Sequence, residues 1–394
     1  MVLFPSIMDK TTAVSFVMII IFTIPTLSPI VTAEWESDGW IKNLIGPDRL
    51  SIGDEFGCHG FENKDINEDV SLIEECKDYV MSNTNASRWG INPISFGTPP
   101  GDVNQKLTSK LIDSGFKIIG DKVTNNPPDL FVVERNGGSM EKNVANISLI
   151  ADSPKDSLVS IYWIARIHDL RIREDKTLLN WLENNESLWY TTWGEWHNHK
   201  LSSENIELSN VDNILYITLP NNPNNSWNVP GSIHIKTDNS IISVKDSKGD
   251  NFPQLVPTDQ NLKIGWRNHS GGFIVTLNSG ENLSVVMQNS TNYTLQNNPI
   301  YTFNDLHHSV TVVGHHVTNM REWASDFLES PVLFTWLIER GAEPNFNWPI
   351  IFIAIGTLIA TPLAIRWLIS MAVSYTHLRA HETRGNLVCR LLLE

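Results

Sequence analysis

Cationic side chains and cysteine are what this sequence is short of. Lys and Arg total 29 against 44 Asp and Glu, a net charge of -15. No local Lys/Arg cluster reverses that balance, so nucleic acid is excluded as an expected partner. Cysteine occurs three times. No second Cys/His pair has finger-like spacing, which argues against a domain organised by a structural zinc. What is present, 394 residues of which 41% are hydrophobic, suffices for two modest domains together with membrane segments.

The two ends differ from the middle. Lys10 precedes an apolar run from Ala13 to Pro25, and Val31-Thr32-Ala33 has the form of a signal-peptidase site. Residues 1–33 therefore read as a signal peptide or N-terminal hydrophobic segment. An uncleaved anchor, or a buried barrel strand over Ala13–Phe22, is the alternative. Trp348 to Val373 is apolar except for Arg366, which predicts a transmembrane helix over 348–373 with Trp348 and Trp367 as interfacial anchors. Arg366 lies near enough to one interface to snorkel. Acidic residues ahead of it, Glu339 and Glu343, suit a cell-membrane protein whose ectodomain is extracellular.

From Ser374 the character changes abruptly to SYTHLRAHETRGNLVCRLLLE. Residues 374–394 resemble translated sequencing-library adapter, so His377, His381 and Cys389 carry no functional argument. Cys58 and Cys76 remain. Two cysteines a short loop apart in an exported chain favour a disulfide over a pair of free buried thiols. Asn85, Asn146, Asn185, Asn224, Asn268, Asn282, Asn289 and Asn292 each begin an N-x-Ser/Thr sequon, which permits a glycosylated surface.

Between the ends, short buried strands alternate with helices. Strands are expected at Leu50–Phe56, Ile91–Phe96, Phe116–Ile119, Leu130–Val133, Asn146–Ala151, Leu158–Ile167 and Leu188–Thr192. Helices are expected from Asn67 or Asp69 through Val80, over Val103–Ser114, over Thr177–Glu183, and from Glu195 onward. That alternation implies parallel βαβ units, in a barrel or an open sheet, with function at the C-terminal strand ends. His59, His168 and the loop Thr98–Asp102 fall at such ends. Glu55, Glu62 and Asp65 lie close enough together in sequence to suggest a carboxylate site.

These segments resemble the polysaccharide deacetylase (NodB-homology) superfamily. Gly53 to Asn63 approximates its Gly-x-Glu-Ile-Gly-x-His-x-x-x-His motif. Pro99 to Ile119 approximates its Pro-x-Gly loop, helix and Gly-Phe strand. Ile161 to Asp169 matches its late histidine strand, and Leu178 to Glu195 its following helix and Trp-rich segment. Order and spacing agree over about residues 50 to 200. The resemblance implies an irregular (β/α) barrel over 34–200 that holds one divalent metal, often zinc, and hydrolyses acetyl groups on glycans. It makes His59 and Asn63 the metal positions, and His168 with Asp169 the acid. Pro99, Gly101 and Asp102 of the Pro-x-Gly loop are candidate substrate contacts, to which Trp193 is added from an aromatic-rich cluster. The chain departs from the pattern at three points: Asn63 replaces a histidine, Gly97 replaces an arginine, and no Thr-Phe-Asp-Asp strand precedes position 50.

Trp181, Trp189, Trp193 and Trp196, with His197 and His199, suit either sugar stacking or core packing, and Trp193 beside Gly194 is the candidate for exposure. From 201 to 303, short alternating runs between Asn/Gly/Pro/Ser turns predict an antiparallel β-sandwich, a spacer or a carbohydrate-binding module. Residues 304–347 read as a juxtamembrane stalk in which Val332–Ile338 belongs to an amphipathic helix. Within that stalk, His307-His308 and His315-His316 flank the strand-like Ser309–Gly314 and offer a transition-metal clamp.

The fold expected is thus α/β: a deacetylase-type irregular (β/α) barrel, then a β-sandwich, then a transmembrane helix. The function expected is metal-dependent deacetylation of surface or environmental polysaccharide. The alternative is an inactive glycan-binding, adhesion or sensor ectodomain that keeps the barrel as scaffold.

Overall fold

The computed structural model describes residues 41, 46–61, 65–140, 145–165, 176–221, 226–289, 298–316, 329–340, 349 and 351–370. In chain order they form α1 (Gly46–Ile52), β1 (Glu55–Phe61), α2 (Ser71–Asn83), β2 (Ser95–Gly101), α3 (Gln105–Asp113), β3 (Ile118–Val123), β4 (Phe131–Val133), α4 (Ile147–Ala151), β5 (Leu158–Ala165), α5 (Lys176–Glu183), β6 (Leu188–Tyr190) and α6 (Trp193–Glu204). Eight strands follow: β7 (Glu207–Val211), β8 (Ile214–Thr218), β9 (Gly231–Lys236), β10 (Ile241–Lys245), β11 (Gly265–His269), β12 (Gly272–Leu277), β13 (Asn282–Met287) and β14 (Asn298–Pro299). The chain then returns in β15 (His308–His316) and β16 (Phe334–Arg340). One further helix, α7 (Ile351–Ser370), is long and apolar enough to cross a membrane. It belongs to a separate unit from residues 34–342.

The parallel sheet runs β4-β3-β2-β1-β16-β15-β5, with β6 pairing the start of β15. Its two edges nearly meet. Residues 137–140, just past β4, reach β5 through Gly137 N–H to Ser160 O (2.9 Å), Met140 N–H to Tyr162 O (2.8 Å) and Tyr162 N–H to Gly138 O (2.8 Å). The result is a nearly closed, barrel-like parallel sheet.

Side chains alternate across its wall, as the strand period of two requires. Phe56, Cys58, Ile119, Val159, Ile161, Trp163, Val310, Val312, Phe334, Trp336 and Ile338 share one hydrophobic cluster with Ile73, Cys76 and Val80 of α2 and Leu107 and Leu111 of α3. The opposite set, Ile118, Tyr162, Val313 and Leu337, joins Trp193 in a second cluster. Trp193 is fully buried, and its indole donates to Ser160 Oγ at 3.1 Å. The wall makes room for it at Gly120, where a Cβ would collide with the indole ring.

β7 to β14 form two four-stranded antiparallel sheets, β10-β13-β8-β7 and β11-β12-β9-β14. Leu215, Ile217, Val244, Leu283 and Val285 from one sheet and Ile233, Ile235, Phe273, Val275 and Leu277 from the other share a third hydrophobic cluster. Two sheets packed over one core make a sandwich. It interrupts the parallel sheet between α6 and β15.

Several expectations change. The stalk read over 304–347 supplies β15 and β16, and the amphipathic helix read at Val332–Ile338 is the strand β16. That segment is apolar on successive residues because both its faces are covered, and such a run does not show the alternation of a half-exposed strand. Leu50–Phe56 divides into the end of α1 and the start of β1, and Asn146–Ala151 is helical. Asn146 caps α4, accepting from Leu149 N–H at 2.8 Å. The loop read at Thr98–Asp102 is strand through Gly101.

At the N-terminal end of the barrel, Glu55 is completely buried. It accepts from Gly194 N–H at 2.7 Å and from Ser95 Oγ. Burial pushes its carboxyl up to about 7, against the hydrogen bonds from Ser95, Gly194 and Thr192 that favour the anion. A raised folded-state value means that stability from this group is complete below the unfolded value of 4.5 and is lost as pH rises through about 7. The difference corresponds to about 3 kcal/mol. Glu55→Gln, an isosteric neutral group, should flatten that part of the stability profile between pH 4.5 and 7 in denaturant titrations. An unchanged slope would remove Glu55 as its source.

Candidate metal centre

The C-terminal ends of four strands converge on a ring of two imidazoles and two carboxylates. His59 comes from β1, Asp121 from β3, His315 from β15 and Glu339 from β16. His59 Nε2 and His315 Nε2 each lie 3.6 Å from Asp121 Oδ2. On the other side of the rings, His59 Nδ1 lies 3.6 Å from Glu339 Oε1 and His315 Nδ1 lies 3.7 Å from Glu339 Oε2. The ring centroids are 4.5 Å apart. Side-chain exposures of 12% for His59 and 11% for Glu339, against 4% and 6% for His315 and Asp121, show a site that is sunken but reachable from solvent.

Local structure aims each member. The β1–β16 register shifts between Cys58 and Gly60, so His59 occupies a bulge, which turns its side chain relative to a regular strand. The preceding residue is anchored by the Cys58–Cys76 disulfide to α2. The expected disulfide is therefore present. Opposite His59, Gly97 has no room for any side chain, since a Cβ there would strike the imidazole and Leu337. The position that the deacetylase pattern gives to arginine is thus closed to one here. Arg135, just past β4, donates from Nη1 to Asp121 Oδ1 at 2.9 Å, and its Cζ lies 4.2 Å from the Tyr162 ring centroid. Asp121 has a left-handed φ of 82°, held by its N–H donating to Tyr162 Oη at 2.9 Å.

Burial pushes the Asp121 carboxyl up, but hydrogen bonding to His59 and the charges of His315, His59 and Arg135 outweigh it and hold the group below its usual range. Burial, then the proximity of His59, pulls His315 down in spite of the two carboxylates, a shift toward the neutral imidazole. A neutral imidazole is the form that ligates a metal.

One ligand atom from each of His59, His315 and Glu339 lies within 4.8 Å of the other two, so the trio could hold a metal ion. Two imidazoles and one carboxylate, leaving a fourth position open, are a donor set used by catalytic zinc. Ligands at zinc bond lengths of about 2.0–2.2 Å stand roughly 3.4 Å apart around a tetrahedron. The imidazole-to-carboxylate separations of 3.6 and 3.7 Å are within a few tenths of that.

Among the described residues singled out in the sequence as metal or catalytic candidates, His59 and His315 are brought together in this ring. Asn63, His168 and Asp169 lie outside the described residues, as do Glu62, Asn224 and Asn292. Glu55 sits at the opposite end of β1 and Asp65 is exposed on a turn, so the pair takes no part in a carboxylate site at the mouth. Pro99 and Gly101 end β2, and exposed Asp102 accepts from Thr124 Oγ1. Trp193, expected to be exposed, is buried in the barrel interior, and Trp189 and Trp196 are buried as well. His307 and His308 pair with each other at the start of β15, remote in register from His315. Of the sequons, Asn85, Asn146, Asn268, Asn282 and Asn289 are exposed and Asn185 is half-buried.

Asp121, Arg135, Tyr162 and Glu339 were missed by sequence reasoning. Asp121 follows the expected strand Phe116–Ile119 almost directly, so the rule that function gathers at C-terminal strand ends was enough to mark it. Glu339 carried no such signal while its segment read as a helix.

Two measurements check this geometry. Gly97→Ala should displace His59, costing about 1–3 kcal/mol of stability in denaturant unfolding. Replacing both Cys58 and Cys76 with alanine opens an 18-residue separation and should cost about 3 kcal/mol in denaturant unfolding.

No protein-family model matches this chain, and no curated protein or solved structure matches it.

Proposed function

We propose that this protein is a membrane-anchored, zinc-dependent hydrolase of the polysaccharide-deacetylase kind that removes N- or O-acetyl groups from surface or environmental glycans. The observation that carries the reading is the trio His59, His315 and Glu339 on three neighbouring parallel strands, at the barrel end where such chemistry is housed. The ordered motifs from Gly53 to Glu195 that resemble deacetylases supply the substrate class. A divalent ion in that trio would lower the pKa of water and polarise an acyl carbonyl. The chain's own contribution is to hold two imidazoles at fixed orientation, with Arg135 and Asp121 on the far side. The apolar helix Ile351–Ser370 supports the anchor, and the exposed sequons support an extracellular ectodomain.

A second reading, an inactive glycan-binding scaffold, is favoured by Asn63 and Gly97, which replace a histidine and an arginine of the pattern. Zinc analysis of the detergent-solubilised full chain, with acetate release from chito-oligosaccharides, separates the two. Stoichiometric zinc and acetate release are expected, both lost in His59→Ala and His315→Ala, with activity down at least about 100-fold. Glycan binding without zinc or acetate release would overturn the enzyme in favour of the scaffold.

A further inference from the structure

Resting on that reading, we infer that the metal occupies only one face of the ring, held by His59 Nδ1, His315 Nδ1 and Glu339, while Asp121 on the other face is a positioning residue that receives both Nε2–H groups. Each imidazole presents one nitrogen to each carboxylate, so either carboxylate is in reach of the same two histidines. A neutral imidazole has one lone pair and one N–H. If a metal takes the nitrogens facing one carboxylate, the N–H groups turn to the other. The choice of face therefore decides which carboxylate ligates.

Three observations select Glu339. Asp121 already carries a fixed cation, with Arg135 Nη1 at 2.9 Å from its Oδ1, and that guanidinium is itself held by Ser139 Oγ at 2.6 Å and by the Tyr162 ring. A second cation on the same carboxylate would meet the guanidinium charge at close range in a largely buried setting, where repulsion is weakly screened. Next, Asp121 is clamped through its backbone by Tyr162 Oη, which directs one oxygen, Oδ2, at both Nε2 atoms. Both Nε2 atoms are buried without a hydrogen-bond partner and have Asp121 Oδ2 3.6 Å away, as donors waiting on one acceptor would. Finally, the trio with ligand spacing comprises His59, His315 and Glu339 and does not include Asp121.

The arrangement is two carboxylate–histidine–metal relays converging on one carboxylate, which fix the tautomer and raise the basicity of both ligands. Arg135 holds Asp121 in place. It also keeps the ion off that face. The assignment differs from the deacetylase pattern, in which an aspartate is itself a ligand.

The test uses the full chain in detergent, with zinc for affinity and cadmium for spectroscopy. Nitrogen NMR of the cadmium-loaded, histidine-labelled protein should show metal coupling at Nδ1 of two residues and a protonated Nε2 on each, with the Nε2–H signals shifted in Asp121→Asn. Glu339→Gln should lose stoichiometric zinc. Asp121→Asn should keep it, with affinity lower by about 10–100-fold, and Asp121→Glu should recover part of the loss. Coupling at Nε2, or zinc lost in Asp121→Asn but retained in Glu339→Gln, would overturn the choice of face and leave the hydrolase reading standing. A wild-type chain that binds neither ion would overturn both. The wild-type spectrum needs no variant to fold, so it decides the matter even if a substitution destabilises the barrel.

Discussion

The parallel pairing of β1 with β16 is the contact on which the rest of this structure depends. It joins residues about 280 positions apart and is locked at its base by Asp54. That carboxylate accepts from Arg49 at 2.8 Å, from Phe334 N–H at 2.9 Å and from the Trp336 indole at 2.7 Å. Arg49 in turn donates to the carbonyls of Ser330 and Val332. The group is fully buried, and desolvation raises the Asp54 carboxyl more than Arg49 and the hydrogen bonds lower it. Such a pair is poor evidence for net stability, because desolvating two charges offsets most of their attraction. It is better evidence for uniqueness. Any other register would leave a buried charge unpaired, at a cost of several kcal/mol. The register so chosen sets Glu339 beside Gly60, one position past His59.

From that register the contents of the barrel follow in layers. The lowest holds Glu55 and Ser95 beneath the start of α6. The middle holds Trp193, which fits because Gly120 contributes no side chain. The uppermost holds His59, Asp121, His315 and Glu339, with Gly97 giving the His59 ring its space. Large and absent side chains on the inner wall thus complement one another, and a close-packed interior leaves each little freedom to move. The site inherits its rigidity from a tryptophan plug below it and a disulfide beside it.

Much of the barrel was legible in the sequence because parallel strands and their helices carry local patterns. Leu158–Ala165 is a long apolar run, the helix expected over Val103–Ser114 is observed at Gln105–Asp113, and Cys58 and Cys76 lie at a separation suited to a bridge. The eight-strand sandwich was visible in its alternation and turns. Its place in the topology was not. An insertion and an appended domain read the same until the chain is seen to return to the sheet, and β15 and β16 are buried on both faces, which removes the alternation that marks a strand. The site suffered from the same blindness. His315 was noticed for its neighbour His316, while its partner in the fold is His59.

By itself, the sequence determined the class of the fold, the disulfide partners, the apolar helix near the C-terminal end, and the place of His59 near the C-terminal end of a strand. Each follows from residues close in the chain, where spacing and periodicity act directly. Only the tertiary structure decided that the parallel sheet closes with strands contributed after the sandwich, that Trp193 is interior, and that His59 faces His315, Asp121 and Glu339. Those outcomes depend on strand register across gaps of tens to hundreds of residues, and register is set by burial and by one buried ion pair, neither of which leaves a local mark.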